Sequence, residues 1–245
     1  FQKNFPKLCK KHIAKITTDD FVTWRDERLK KVKPASVRRE GNILSALFTV
    51  ARTEWKWVYE SPMSDLKMPP PPAHRDRRIT EDEIERLCLA ADFNNQAPEN
   101  FTQQIIIAFL LALETAMRAG EIRGLTWDRV YLKDRYVTLD ETKNGTKRHV
   151  PLSRRAVELL VLMKGIDGHN VFTVKDASFD TLWRKLRDKC EIEDLHFHDS
   201  RHEACTRLAR KLEVLDLARM IGHKDLRSLM VYYNATASEI ANRLD

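Results

Sequence analysis

The chain is poor in the residues that build several common sites. Seven glycines in 245 residues form no glycine-rich loop that could cradle a nucleotide. No cluster of carboxylates offers the ligands that a Mg²⁺-dependent nuclease or polymerase needs. The four cysteines (Cys9, Cys88, Cys190 and Cys205) are scattered, without metal-type pairing, and read as reduced, mostly buried thiols. No apolar run approaches the ~18 residues of a membrane span; the longest, Ile105 to Leu113, suits a buried helix. The N-terminal stretch is basic and lacks the apolar segment of a signal peptide. There are no tandem repeats, and Pro69 to Pro72 is the one biased tract. The chain opens on Phe1 rather than Met, so it reads as a trimmed piece of a longer protein.

What is present is charge, unevenly placed. With 42% hydrophobic and 32% charged residues the composition is that of a globular protein of one or two domains. Residues 1–77 hold 17 Lys and Arg against 9 Asp and Glu, a net of +8. The remainder holds 26 against 27, a net of −1. The first third is therefore the electrostatic handle for a polyanion.

Periodicity predicts mostly helices. Residues 1–16 are basic and poorly periodic, and Thr17 to Asp20 then caps a helix running to Leu29. A longer helix follows Pro34, with Val37, Ile43, Leu44, Leu47, Phe48 and Ala51 on a core face and Arg38, Arg39 and Arg52 available to phosphates. Trp55 and Trp57 read as core or packing residues rather than base-stacking ones. Consecutive prolines then favour an extended spacer. This gives a helical domain over 1–68 whose charge suits DNA, RNA or an anionic membrane alike, a linker over 69–77 that carries Arg75 and Arg77, and a second domain over 78–245.

In the second domain, Thr80 to Glu83 is a capping box for a helix to about Ala91, and an apolar helix spans Thr102–Thr115. Residues 129–152 alternate and predict about three antiparallel strands, with Asn144-Gly145 as a turn. Helices follow over Ser153 to about Met163, Ser178–Cys190, His198 to Arg210, Glu213–Ile221 and Leu226–Tyr233, with a terminal one over Thr236–Leu244. The fold class is mainly α with a small antiparallel β-sheet.

The chemistry-bearing residues lie late in the chain. His198 and Arg201 stand one helical turn apart and can face one phosphate. Arginines neutralise phosphate with a forked guanidinium, histidine and lysine move protons near neutral pH, and a tyrosine hydroxyl can attack and hold a covalent intermediate. His196 lacks the three-residue spacing to an arginine, and Asp199 suits a structural acid near a helix start. Tyr232 and Tyr233 point about 100° apart on a helix, so both cannot fill one role.

Four elements carry a resemblance: Thr115-Ala116-Met117-Arg118-Ala119-Gly120-Glu121; Thr142-Lys143-Asn144-Gly145; His198-Asp199-Ser200-Arg201-His202; and Gly222-His223 with Tyr232 nine residues on. In this order and spacing they resemble tyrosine recombinases of the phage-integrase type, similar to phage and plasmid integrases and shufflon-type DNA invertases. That family more often has Leu where this chain has Ser200. The resemblance implies a site-specific recombinase that cuts and rejoins DNA through a 3′-phosphotyrosine, without metal, ATP or other cofactor. It implies Tyr232 as nucleophile, Arg118 and Arg201 as phosphate clamps, His198 as base or hydrogen-bond partner, Lys143 as general acid and His223 as a further phosphate donor. Lys147 competes with Lys143 for the turn position. Glu121 and His202 would support them. The resemblance further implies double-stranded recombination sites as partner, four protomers on two sites coupled through the terminal helix, accessory DNA-bending proteins, and action in the cytoplasm of a bacterial or phage system, away from membranes. A topoisomerase-like nicking and resealing enzyme, or a binding-only protein of the same fold, is the alternative.

Overall fold

A computed structural model describes residues 5–72, 75–140, 147–223 and 225–233. The chain divides into two compact units, Phe1–Arg75 and Asp76–Asp245. The division falls three residues after Pro72.

The first unit holds α1 (Pro6–Lys10), α2 (Thr18–Leu29) and α3 (Pro34–Thr53). Its early basic stretch, unremarkable in sequence, forms α1 and a 3₁₀ turn over Ile13–Lys15. Thr17 is the N-cap expected for α2, and with Asp20 it makes a capping box. The core is Phe21, Trp24, Val37, Phe48, Met63 and Leu66. Arg28 of α2 grips Glu40 of α3, with one bond at 2.9 Å, and closes the pair. Gly41 sits where a Cβ would lie 2.3 Å from Met68 Cε, so the segment after α3 packs back across this helix. Arg38 Nη1 donates to the Pro69 carbonyl at 2.8 Å.

The predicted inner face of α3 is too wide. Ile43 is 65% exposed and Leu47 lies on the surface. Trp55 and Trp57 are also not core residues: they are 44% and 55% exposed and lie against each other with centroids 4.4 Å apart. A small helical unit has one buried stripe, and Phe21, Trp24 and Phe48 already fill it.

The second unit is built on α5 (Phe101–Thr115). The Asn100 side chain accepts the Gln103 N–H at 3.0 Å to open it. Apolar residues all round demand burial on every side. α5 accordingly packs against α7 (Arg154–Leu162), α8 (Asp176–Lys189) and α9 (Asp199–Ala209). α4 (Glu81–Ala90) packs on α8 and opens with the predicted capping box: the Thr80 hydroxyl accepts from Glu83 N–H and the Glu83 carboxylate accepts from Thr80 N–H. α6 (Ala119–Arg123) follows α5 after a left-handed residue, Ala116. Three antiparallel strands, β1 (Val130–Tyr131), β2 (Tyr136–Leu139) and β3 (Arg148–Pro151), form the sheet in that order. Val137 pairs with Val130 on one side and Val150 on the other. α10 (Val214–Ile221) packs on β3 and α9. The last described element, Leu226–Tyr232, is a 3₁₀ helix rather than the α-helix expected there. Lys143, the Asn144-Gly145 turn and the terminal Thr236–Leu244 helix lie outside the described residues.

The cysteines are free. Cys190 and Cys205 are buried, Cys88 is half-buried and Cys9 is exposed, so burial is less general than the composition suggested. No described helix is long and apolar enough to cross a membrane.

Candidate active site

The site forms where the ends of α5, α9 and α10 converge. α9 is placed by the alternating segment before it. Leu195 and Phe197 point inward and His196 outward. Phe197 packs edge-on against Phe109, Phe179 and Trp183, at centroid distances of 5.9, 5.0 and 5.3 Å. Each such buried aromatic contributes on the order of 1.5–3 kcal/mol, and the cluster fixes the residue next to it, His198. Asp199 accepts the His196 N–H at 2.7 Å and so acts as the structural acid expected. Ser200 is buried and donates to the Phe197 carbonyl at 2.6 Å, which accommodates a hydroxyl in an otherwise apolar place. His196 itself is exposed near Asp194 and Asp199, off the site.

Arg201 is only 6% exposed. Its Nη1 donates to the carbonyl of Ala116 at the end of α5, and its Nη2 to that of Ile221 at the end of α10, at 2.8 Å. Terminal carbonyls have no partner within their own helices, and a cation there also meets the negative end of the dipole. The guanidinium is thus held stiffly between three helices.

Arg118 is held from the other side. Glu121 accepts from the Arg118 backbone N–H at 2.8 Å and from its Nη1 at 2.9 Å. The same carboxylate accepts from Nη1 and Nη2 of Arg148, at 2.9 and 2.7 Å. Arg148 also donates through Nε to the Met220 carbonyl at 3.0 Å. Burial pushes the Glu121 carboxyl up, but Arg148 and Arg118 outweigh it and hold it below the usual range. Arg148 was not among the predicted residues. Its signal was there: it occupies an inward position of a strand that alternates buried and exposed, and a buried arginine demands a buried partner.

Gly222 adopts a left-handed conformation, φ +70°, and a Cβ there would lie 3.0 Å from Arg148 Cδ. Both the turn and the close approach call for glycine. His223 leaves this turn toward the arginines. Burial, then the charges of Arg201 and Arg118, push its imidazole below its ordinary pKa. Burial, then Arg201, does the same for His198, with Arg118 adding to it. Both histidines are therefore biased to the neutral form near pH 7.

Tyr232 ends the 3₁₀ helix on the same side. Its hydroxyl lies 3.3 Å from His202 Nδ1, with the Cys205 thiol close enough to influence it. Burial, then Cys205, pushes its pKa up to about 12, and Arg201 offsets only part of that. Tyr233 turns away and donates to the Leu212 carbonyl at 2.9 Å. At three residues per turn, consecutive side chains diverge by about 120°, more than on an α-helix.

Five predicted residues, Arg118, His198, Arg201, His223 and Tyr232, thus converge, with Arg201 electrostatically coupled to each of the others. Glu121 and His202 adjoin them. Lys147 is exposed and ion-paired with Asp140 at 3.2 Å. Among the described residues no group of His, Cys, Asp and Glu could hold a metal ion. Two guanidiniums, two neutral imidazoles and a phenol suit an anionic diester with a hydroxyl nucleophile.

The match to known proteins agrees with this. The family model of the phage integrase family matches residues 77–239. This chain belongs to the phage integrase family. That family comprises tyrosine recombinases, enzymes that break and rejoin DNA. An integrase/recombinase of Haemophilus influenzae is 38% identical over 96% of this integrase-family chain and 78% of its own length. The shufflon-specific DNA recombinase of Escherichia coli is 37% identical over 99% of the chain and 64% of its own length. The chain therefore spans about two thirds to four fifths of these relatives. Among solved structures, a lambda integrase dimer bound to a core site superimposes with a TM-score of 0.74, at 19% identity, over 96% of this chain and 88% of that one. A Tn1549 transposon integrase in complex with a circular intermediate DNA gives 0.73 at 16% identity, over 99% and 91%. At these identities the likeness concerns the fold.

The residues predicted for DNA are differently placed. Arg39, Arg52 and Arg75 are exposed. Arg38 is tied to Pro69, and Arg77 is ion-paired with Glu83.

Proposed function

We propose that this chain is a site-specific DNA recombinase that exchanges strands through a 3′-phosphotyrosine. The observation that carries the reading is the convergence of Arg118, His198, Arg201 and His223 beside the Tyr232 hydroxyl. Tyr232 attacks the scissile phosphate. Arg118 and Arg201 hold the non-bridging oxygens as charge builds in the transition state, in a site that fixes them before reaction. His198 and His223 add hydrogen bonds to the same phosphate. Lys143 protonates the leaving 5′ oxygen, which costs the chain no metal ion. Attack by the 5′ hydroxyl of a partner duplex then reseals the strand, and the phosphotyrosine bond keeps the energy of the cleaved diester, so no ATP is needed.

In this reading residues 1–68 and the strap at 69–77 hold the duplex through Arg38, Arg39, Arg52, Arg75 and Arg77. The partner is a double-stranded recombination site. Four protomers act on two sites, coupled through residues 236–244, and DNA-bending proteins assist in the cytoplasm.

A pool of nicked duplexes with a randomised core, incubated with the protein without added metal, tests the chemistry. Covalent complexes are recovered on a denaturing gel, and the duplexes they carry are sequenced and reused. Wild type and Tyr233→Phe should both give the denaturant-resistant band and Tyr232→Phe should not. Loss in Tyr233→Phe alone would move the nucleophile by one residue. No band from any variant on well-bound DNA would leave only a binding protein.

A further inference from the structure

The attacking hydroxyl needs somewhere to put its proton. A phenol held at a pKa of about 12 is ionised to only about one part in 10⁵ at pH 7. The resemblance implies His198 as base or hydrogen-bond partner, yet the histidine that touches the Tyr232 hydroxyl is His202, at 3.3 Å. His198 instead feels the charges of Arg201 and Arg118, the two arginines that the strand-exchange reading gives to the phosphate. The two histidines are four residues apart on α9, so they share a face while meeting different groups. His202 and Cys205, one turn apart, together flank the phenolic oxygen. The buried Cys205 thiol, itself raised to about 11, is a poor acceptor beside an imidazole.

We infer that His202 is the general base that takes the Tyr232 proton during strand cleavage. This rests on the strand-exchange reading above and assigns a step within it. The imidazole carries its own proton on Nε2 and presents the Nδ1 lone pair to the hydroxyl. As Tyr232 Oη bonds to phosphorus, its proton moves to Nδ1. The bond from phosphorus to the 5′ oxygen breaks, and that oxygen takes a proton from the general acid on the opposite side. In resealing, the 5′ hydroxyl attacks and gives its proton to the now-deprotonated general acid, the phosphorus–Oη bond breaks, and the His202 imidazolium returns its proton to the departing phenoxide. The residue is catalytic rather than structural because it touches the reacting oxygen. His198 and His223 remain with the phosphate.

The test is single-turnover cleavage of a nicked duplex recovered from the randomised pool. His202→Asn places an amide oxygen near the position of Nδ1, where it can accept a hydrogen bond but cannot keep a proton. Positioned general bases contribute about 10²–10⁴-fold, so His202→Asn and His202→Gln should slow covalent-complex formation by on the order of 10² while binding the duplex as wild type does. The same duplex with sulfur in place of the bridging 5′ oxygen supplies the control. A thiolate leaves without protonation, so this substrate should restore Lys143→Ala and leave the His202 variants slow. A wild-type rate in His202→Asn and His202→Gln would overturn the assignment. So would restoration of those variants by the sulfur substrate, which would place His202 at the leaving group, or a greater loss in Cys205→Ser than in either. Failure of wild type to form any covalent complex would instead defeat the strand-exchange reading itself.

Discussion

At the scale of single residues, the candidate site is braced by a shared carboxylate. Glu121 accepts four hydrogen bonds, two from Arg118 and two from Arg148, and the second arginine is buried. Removing one member of a buried ion pair strands the other's charge. Arg148→Ala should therefore destabilise the protein by about 3–5 kcal/mol, read from urea unfolding, whereas Arg148→Met with Glu121→Met should lose much less. Because Arg118 loses its brace with Glu121, the double variant should remain folded but bind a phosphate diester poorly. The residues that converge at the candidate site were legible because phosphate transfer admits few residue types, and those types stood at revealing spacings. Arg148 was not, because a strand arginine beside a turn looks like any surface cation until its inward register is known. The same holds for Cys205, an ordinary thiol in sequence whose place beside Tyr232 depends on how the 3₁₀ segment folds over α9.

At the scale of elements, sequence signals were most reliable where one local cause decided the outcome. The Thr17 cap, the Thr80 capping box and the Ser153 cap, which accepts the Ala156 N–H at 3.0 Å, opened helices as expected. The three strands followed from alternation. The segment before Tyr232 was harder, since its period does not separate three residues per turn from 3.6, and packing on α9 and α10 decides. Trp55 and Trp57 pack on each other but not in the core, where large aromatics are expected, and only the filled core of the first unit shows that there was no room. One element is pinned by an acid whose role no motif announced. Glu203 of α9 is 2% exposed and accepts from Arg78 Nε at 2.7 Å, from Arg207 Nε at 2.8 Å and from the Ile79 N–H at 3.2 Å. Burial opposes its ionisation, but Arg78 and Arg207 outweigh that and lower it from 4.5 to about 2. A depressed carboxylate contributes its stability above its unfolded pKa and loses it as pH falls through the folded one. Acid titration followed by circular dichroism should show wild type losing stability between about 4.5 and about 2 from this group. Glu203→Gln should be less stable at neutral pH and flatter across that window. An identical acid profile in both would mean that α9 is held without it.

At the scale of the whole molecule, the division of charge matters more than the total. The second unit pairs arginines with its own carboxylates: Glu121 takes two of them and Glu203 two more. The excess positive charge lies in residues 1–77, where Arg39 and Arg52 are exposed on α3. Long-range attraction to a duplex must then come chiefly from that third of the chain. Each phosphate neutralised releases condensed counterions, so the logarithm of affinity falls with the logarithm of salt by about 0.9 per contact. Arg39→Ala with Arg52→Ala should weaken binding to all duplexes alike and reduce that slope by roughly 2. The rate of cleavage at saturating DNA should be unchanged, because neither side chain belongs to the catalytic cluster. Arg38→Ala should behave differently, since its guanidinium is engaged by the Pro69 carbonyl and its loss frees the strap as well as a charge. Binding measured by fluorescence anisotropy across a salt series separates the cases. A slope unchanged in the double variant would move the electrostatic contact off α3, and a lowered saturated rate would mean that these arginines position the duplex rather than merely attract it.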